Sequence, residues 1–214
     1  MPRGKSNSRH VVAKGIVAYD LTKIDVAEQL IISAVRQFFE DAHPVPVYVL
    51  ASAAREILTT IGDKTGVKTV LHAIADRRGP TLKNMAREAH MFAGFFKHAD
   101  RDPAGKLHFS EHEVDSVLAM ACQDFGRITR GMPIEAQIFE LWIYALSFAR
   151  VSDAPLRGQR MIKLAIQRFP GIRTADRRRQ KQLGLDLLNR LKDDPELKMN
   201  YSREVKMAVS GKSR

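Results

Sequence analysis

The sequence predicts an all-α protein: a helical bundle of five or six helices over residues 20–150, with a smaller basic helical C-terminal extension. Apolar residues recur at steps of three and four along residues 20–150, which is the period of an amphipathic helix. No segment alternates apolar and polar residues between hairpin turns, so no strand is predicted. The chain has 214 residues, 44% of them hydrophobic, which is enough apolar surface for one helical core.

The predicted helices lie between capping residues, prolines and glycines. Thr22 with Asp25 resembles a capping box before the first helix, and Ser110 with Glu113 forms another before the fifth. Gly94, inside the long fourth helix, costs about 1 kcal/mol against Ala and indicates close packing there. The predicted helical segments are residues 24–39, 46–61, 67–75, 80–99, 111–130 and 134–148.

Charge divides the chain into three parts. Residues 1–19 form a basic N-terminal arm, because residues 1–14 contain four basic and no acidic side chains. The bundle at 20–150 is nearly neutral, since residues 15–170 contain 19 basic and 18 acidic side chains. Residues 151–214 are a basic helical extension and tail, with twelve basic against six acidic residues from 171 onward. Basic ends of this kind attract phosphate backbones or an acidic protein.

The densest basic run lies at the start of a further predicted helix, which is expected to follow Thr174 as its cap and to end at Lys192. Its cations are the candidate nucleic-acid contacts, and binding through them is expected to depend on the phosphate backbone and on salt. No helix-turn-helix or zinc-finger signature indicates base-specific reading. The candidate nucleic-acid-binding residues are Arg173, Arg177, Arg178, Arg179 and Lys181.

Composition excludes several classes of protein. One Cys rules out a disulfide framework and a multi-cysteine zinc site. No apolar run approaches the roughly 18 residues that would span a bilayer, and the N-terminus does not resemble a secretory signal. Neither a glycine-rich phosphate loop nor a serine nucleophile elbow is present. A cytoplasmic protein is therefore expected.

The segment Asp-Arg-Asp-Pro-Ala-Gly-Lys-Leu-His-Phe-Ser-Glu, residues 100–111, resembles the calcium loop of an EF-hand. In this resemblance Asp100, Asp102 and Glu111 are the candidate metal ligands, and Gly105 occupies the sharp-turn position. Ala104 replaces an oxygen ligand, which departs from the EF-hand pattern. The alternative is a polar connection between two helices.

The segment Phe95-Phe-Lys-His-Ala-Asp-Arg-Asp-Pro103 is similar to one in an uncharacterised family of bacterial all-helical proteins. A broader likeness is to the HEPN helical domains, many of which cut RNA with an Arg and a His on one helix. That resemblance implies Arg87 and His98 as candidate catalytic residues. The two are eleven residues apart, about 16 Å along a helix, which is wider than one phosphate bridges.

The leading functional hypothesis is a non-enzymatic binding protein that contacts a polyanion, most plausibly nucleic acid, through its basic ends. A HEPN-like RNA-processing enzyme is the second hypothesis. A calcium-binding protein with one degenerate EF-hand loop is the third. No cofactor is expected apart from calcium under the third hypothesis, and the expected partner is nucleic acid or an acidic protein.

Overall fold

The computed structural model describes residues 9–13, 16–78, 91–98, 100, 102–153 and 158–191. Within these ranges the protein is all-α with one short hairpin, which confirms the predicted fold class. Three parts of the sequence predictions lie outside the described residues: the arm before residue 9, Arg87, and the tail from residue 192.

The described elements begin with a two-stranded hairpin and continue with helices. The label α4 is used for the helical residues 91–97. In chain order the elements are β1 (Arg9–Ala13), β2 (Ile16–Tyr19), α1 (Lys23–Phe39), α2 (Pro44–Thr65), α3 (Val70–Arg78), α4 (residues 91–97), α5 (Glu111–Thr129), α6 (Ile134–Ser147), α7 (Gln159–Arg168) and α8 (Arg177–Leu191). The 3-10 turns Val151–Asp153 and Ile172–Thr174 precede α7 and α8, respectively.

The hairpin corrects the expectation that the chain has no strands. Strands β1 and β2 are antiparallel, with Arg9 opposite Tyr19 and Val11 opposite Val17. The signal was present in the sequence, because two short β-branched runs flank a glycine. The strands have only five and four residues, too few for a clear alternation of apolar and polar positions.

Helix α1 begins with the predicted capping box, which is confirmed. The Thr22 hydroxyl accepts a hydrogen bond from the backbone N of Asp25 at 3.1 Å, and the Asp25 carboxylate accepts one from the backbone N of Thr22 at 2.8 Å. The apolar stripe of α1 is buried from Ala27 to Phe39. Local sequence therefore sets both the start and the inward face of this helix.

The boundaries of α2 differ from the prediction. Pro44 is the first residue of α2, where a missing N–H costs nothing, and the chain has already left α1 after Phe39. Gly62 lies inside α2, and a Cβ built on it would come within 2.8 Å of the carbonyl oxygen of Val67. The helix ends at Gly66, which has the left-handed φ of 72°. Gly62 thus permits the close return of the chain after α2.

Two further predictions around α4 and α5 are corrected by the structure. A Cβ built on Gly94 would meet nothing within 4 Å, so this glycine does not mark close packing. Ser110 caps α5, but its hydroxyl accepts from the backbone N of His112 at 3.3 Å rather than from that of Glu113. The start of α5 was nevertheless predicted within one residue.

Helix α1 lies at the centre of the bundle and packs on α2, α5, α6 and α8. Edge-to-face and stacked ring contacts join the side chains at this junction, with ring centroids 5.2–6.0 Å apart. The aromatic residues of this junction are Phe38, Phe39, Phe139 and Trp142.

The elements after residue 150 pack on the same core as α1–α6. Residues on α7, on α8 and on the turn between them are fully buried in one continuous hydrophobic cluster with the bundle. A hydrogen bond from the indole N of Trp142 to the backbone oxygen of Gln180, at 2.7 Å, joins α6 to α8. The buried residues of these later elements include Ala165, Phe169, Ile172, Leu187 and Leu188.

Candidate nucleic-acid interface

Helix α8 divides the predicted basic run between two sides. Arg177 and Lys181 are four residues apart, so they lie on one face of the helix, and that face is turned to the bundle. Arg178 and Arg179 follow at positions that are exposed. The sequence supplied all four cations as candidates, but only two of them remain outside the body.

Lys181 is a buried cation with two carboxylate partners. Only 1% of the residue is exposed. Its ammonium donates to Asp41 at 2.8 Å and to Glu111, and it lies 5.0 Å from the centre of the Phe38 ring. Because a buried ammonium must be paired and hydrogen-bonded, these carboxylates are what makes the position tolerable.

Arg177 lies one turn earlier and binds the same end of α5. Its Nε donates to Glu111 at 3.1 Å, and its Nη2 donates to Asp115. The guanidinium also lies 5.3 Å from the ring centre of Phe38 and 5.1 Å from that of Trp142. A planar guanidinium suits both contacts, since it forks onto carboxylates and stacks on aromatic faces.

We call Asp41, Glu111, Asp115, Arg177 and Lys181 the inner cluster; it holds three carboxylates and two cations. The hydrogen bond from Lys181 lowers the pKa of Asp41. Burial acts to raise the pKa of Glu111, but Lys181 and Arg177 together outweigh burial and hold that pKa below its usual value. Burial raises the pKa of Asp115, and the hydrogen bond from Arg177 offsets this only in part. The inner cluster is thus a structural ion-pair network.

The inner cluster is positioned by close contacts of α8. The side-chain Nε2 of Gln180 donates to the backbone oxygens of Ile172 at 3.1 Å and Ala175 at 3.0 Å, which fixes the turn before the helix. A Cβ built on Gly184 would overlap the ring of Phe39. Glycine at this position therefore allows α8 to approach α1 closely enough for Lys181 to reach Asp41.

The cations that face outward form a second group, which we call the outer cations. Three of them, Arg173, Arg178 and Arg179, were predicted from the sequence. The other three lie on α7, whose buried stripe of Ile162 and Ala165 leaves its charged residues exposed. The helical period of α7 could have revealed these three. The outer cations are Arg160, Lys163, Arg168, Arg173, Arg178 and Arg179.

The outer cations have few acidic neighbours. Arg179 lies 4.0 Å from Asp186, and Arg173 donates to the backbone oxygen of Leu146 at 3.0 Å. Among the described residues, none of the other four outer cations makes an ion pair. Between residues 158 and 181 the acidic side chain is Asp176, whose Oδ1 accepts from the backbone N of Arg179 at 2.9 Å as a helix cap.

The structure separates the three candidate metal ligands of the loop at 100–111. Glu111 is committed to Arg177 and Lys181 in the inner cluster, whereas Asp100 and Asp102 are exposed. In the described part of the chain, no group of three or more His, Cys, Asp or Glu side chains could hold a metal ion. The loop does make a tight turn, since the backbone N of Gly105 donates to the backbone oxygen of Asp102 at 3.1 Å.

The candidate catalytic pair is only half described. Arg87 lies outside the described residues. His98 follows the last turn of α4, is half-exposed, and has its Nδ1 at 4.0 Å from Asp100.

Cys122 is fully buried in α5, and burial raises the pKa of its thiol far above the usual range. The thiol is therefore protonated and inert at neutral pH.

A second buried charged site, which sequence reasoning missed, lies between α2, α3 and α5. Asp124 is 0% exposed, and its Oδ1 accepts a hydrogen bond from the backbone N of Val70 at 2.6 Å, at the start of α3. Its Oδ2 accepts no hydrogen bond within the described residues. Burial raises the pKa of Asp124, and the pKa of the buried Arg55 is lowered for the same reason.

Comparisons with known proteins leave the resemblances as hypotheses. A scan against protein-family models, a search of curated proteins and a search of solved structures each gave no match. Among the described helices, none is long and apolar enough to cross a membrane. Any functional proposal for this chain therefore depends on the geometry and charge of its own residues.

Proposed function

We propose that the protein is a non-enzymatic binding protein that holds a nucleic acid on the surface formed by α7 and the start of α8. The observation that carries this proposal is the set of six outer cations, all of which are exposed. Against them, residues 158–181 contain one acidic residue, Asp176. The carboxylate of Asp176 is occupied by the cap of α8. An anionic partner would meet a surface whose positive charge is neutralised only in part, since Arg179 lies 4.0 Å from Asp186.

The type of cation favours phosphate. Five of the six outer cations are arginines. Arginine presents a rigid fork of donors that matches the oxygens of a phosphate group, whereas lysine acts as a point charge. Cations spread over α7, the turn Ile172–Thr174 and the start of α8 suit a ligand with charge at regular intervals, such as a nucleic-acid backbone.

The inner cluster supports the same proposal. Arg177 and Lys181 fix α8 on the bundle, so Arg178 and Arg179 are held on a helix whose position is already determined. A preorganised surface loses less conformational entropy on binding than a free tail. The proposal includes a cytoplasmic location, where the protein has access to nucleic acid.

The test is the salt dependence of binding to a labelled DNA duplex, measured by fluorescence anisotropy between about 50 and 200 mM salt. The double variant Arg178→Ala/Arg179→Ala should bind more weakly. The slope of log affinity against log salt should become shallower by about 1.8, because each lost phosphate contact accounts for about 0.9 on duplex DNA. The urea midpoint should not change, since both side chains are exposed.

The matched control removes two exposed cations elsewhere, as Lys64→Ala/Lys68→Ala at and just after the end of α2. This variant has the same net charge as the first, and its salt slope should equal that of the native protein. Equal slopes for all three proteins would contradict the proposed surface. If the native protein retains neither RNA nor duplex DNA at low salt, the proposal is wrong, and an acidic protein becomes the partner to seek.

A further inference from the structure

The outer face of α7 exposes two large apolar side chains among its cations. Met161 is 44% exposed and Leu164 is 36% exposed, whereas Ile162 and Ala165 of the same helix are buried. Because that buried side makes the core contacts of α7, Met161 and Leu164 are not needed to hold the helix on the bundle. Phosphate contacts use cations and polar donors, so this apolar pair indicates a ligand that also presents an apolar part.

Helix geometry places the apolar pair on the same face as the arginines of α7. Arg160, Leu164 and Arg168 follow one another at steps of four residues, so they form one row along the exposed side. Met161 lies three residues before Leu164 and therefore beside this row. From Arg160 to Arg168 the helix advances about 12 Å, because each residue adds about 1.5 Å. The row is thus cationic at both ends and apolar in the middle.

The remaining residues of α7 leave this face open to an anion. Residues 158–168 contain three cations and no Asp or Glu. Gln167 is exposed on the same side, three residues after Leu164. The outer face of α7 therefore offers a ligand two cationic ends, an apolar middle and one amide group.

The major groove of B-form DNA presents matching groups across its width. The groove is about 12 Å wide, admits an α-helix, and has the phosphates of the two strands at its borders and base edges at its floor. An A·T pair exposes the C5-methyl of thymine there, which accepts an apolar contact. It also exposes the N6 and N7 atoms of adenine, with which a glutamine amide hydrogen-bonds. Both features of the A·T pair thus have a counterpart on α7.

We propose that α7 lies in the major groove of duplex DNA, with Met161 and Leu164 against the methyl groups of thymine. This inference rests on the proposed function, and it adds duplex DNA with A·T pairs as the ligand class. Arg160 and Arg168 bind phosphates at the two borders of the groove. Duplex RNA is not an equivalent ligand, because the major groove of its A-form helix is too deep and narrow for side chains to read.

Two DNA duplexes of one sequence, one with thymine and one with deoxyuracil in its place, measure the methyl contact directly. The ligands carry the same phosphates and differ in the C5-methyl group, so the outer cations do not distinguish them. The native protein should bind the thymine duplex about fourfold more tightly, because burial of one methyl group contributes a factor of that order. Fluorescence anisotropy at one salt concentration gives the ratio of the two affinities.

Variants of the apolar pair show whether these side chains supply the preference. Met161→Ala/Leu164→Ala should bind both duplexes equally, and its slope of log affinity against log salt should equal the native slope, since no cation is removed. Leu164→Met should retain the preference, because methionine is apolar and of similar volume. The matched control is Met91→Ala, which removes a methionine that is 54% exposed on α4 and should leave the ratio unchanged. Melting temperatures should confirm that all variants fold.

A duplex RNA of the same sequence is the third ligand. The native protein should bind it more weakly than either DNA duplex, and Met161→Ala/Leu164→Ala should bind it as the native protein does. An equal loss of affinity for RNA and DNA in this variant would show a general apolar contact instead of a groove contact, and would overturn the inference.

The outcomes separate this inference from the proposed function. If the native protein binds the thymine and deoxyuracil duplexes equally, or if Met161→Ala/Leu164→Ala keeps the native preference, the groove site is wrong. The nucleic-acid surface still stands in that case when Arg178→Ala/Arg179→Ala lowers the salt slope. If the native protein binds no duplex at low salt, both proposals fall. A thymine preference that is lost in the double alanine variant and kept in Leu164→Met supports the groove site.

Discussion

The two sides of α8 contain the same types of residue in opposite settings. On the inner side, Arg177 and Lys181 are saturated by carboxylates of α5 and of the turn after α1. On the outer side, Arg178 and Arg179 face solvent. The comparison teaches that a dense basic run cannot be read as a binding patch by counting its charges. What remains for a ligand is the charge that the fold has not already neutralised.

The largest expected effect is on the stability of the protein, and its absence would contradict the difference between the two sides of α8. Lys181→Ala should destabilise the protein by about 3 kcal/mol at neutral pH, because it leaves Asp41 and Glu111 without their buried cation and opens a cavity. Arg178→Ala, one helical position from the inner face, should change the free energy of unfolding by less than about 0.5 kcal/mol. Urea denaturation measures both values.

The pH dependence of the Lys181→Ala effect depends on the two carboxylates. The pKa values of Asp41 and Glu111 are lowered in the folded protein, so their contribution to stability is present above the ordinary carboxyl pKa and is lost as pH falls through the lowered values. The difference between native protein and variant should therefore shrink below about pH 4. A difference that stays constant there would show that packing, not ion pairing, holds Lys181.

The sequence could predict what depends on neighbours in the chain. The capping box at Thr22 and the buried stripe of α1 were available because helix signals act over three or four residues. The division of the basic run into buried and exposed cations could not be predicted in this way, since Lys181 contacts Asp41 across 140 positions of the chain and Glu111 across 70. Glu111 fitted a calcium loop by spacing, but no local pattern shows that α8 binds its carboxylate instead.

Exposure within an aromatic run was also beyond the sequence. Phe92, Phe95 and Phe96 are equally apolar, and two of them turn inward because Tyr48 and Phe109 lie there to receive their rings. The three cations of α7 are a different case, because the helical period of that segment contained the answer. Long-range packing thus limited the prediction of the site more than it limited the prediction of the fold.

A smaller effect is expected where the inner side of α8 meets α1. Gly184→Ala should destabilise the protein by about 2 kcal/mol, because its Cβ would overlap the buried ring of Phe39 and overpacking costs about 1–3 kcal/mol. Gly94→Ala is the matched control. Its Cβ would meet nothing within 4 Å, so the gain in helix propensity should stabilise the protein by about 0.5–1 kcal/mol.

Thermal or urea unfolding of these two variants sharpens the comparison between the sides of α8. Opposite signs for Gly184→Ala and Gly94→Ala would show that close approach, not the loss of a glycine, sets the cost on the inner side. A stabilised Gly184→Ala would mean that α8 can move away from Phe39, and the inner cluster would then not need its present geometry.

The smallest expected effect concerns Asp124, a buried charged residue with fewer partners than Lys181. Lys181 has two carboxylate partners, whereas Asp124 has one hydrogen bond, from the backbone N of Val70, and an Oδ2 that accepts none within the described residues. Since burial raises the pKa of Asp124, the folded state binds its proton more tightly than the unfolded state does. Ionisation of Asp124 therefore lowers stability as pH rises from the ordinary carboxyl pKa through the raised value.

Asp124→Asn removes this titration and keeps an oxygen for Val70. The free energy of unfolding of the variant, relative to the native protein, should rise between pH 4 and pH 7. Asp124→Ala, which also removes the acceptor at the start of α3, should lie below Asp124→Asn by about 1 kcal/mol at both pH values. If the Asn variant keeps the same difference from the native protein across this range, the carboxylate is compensated after all. Incomplete pairing would then not be what distinguishes Asp124 from Lys181.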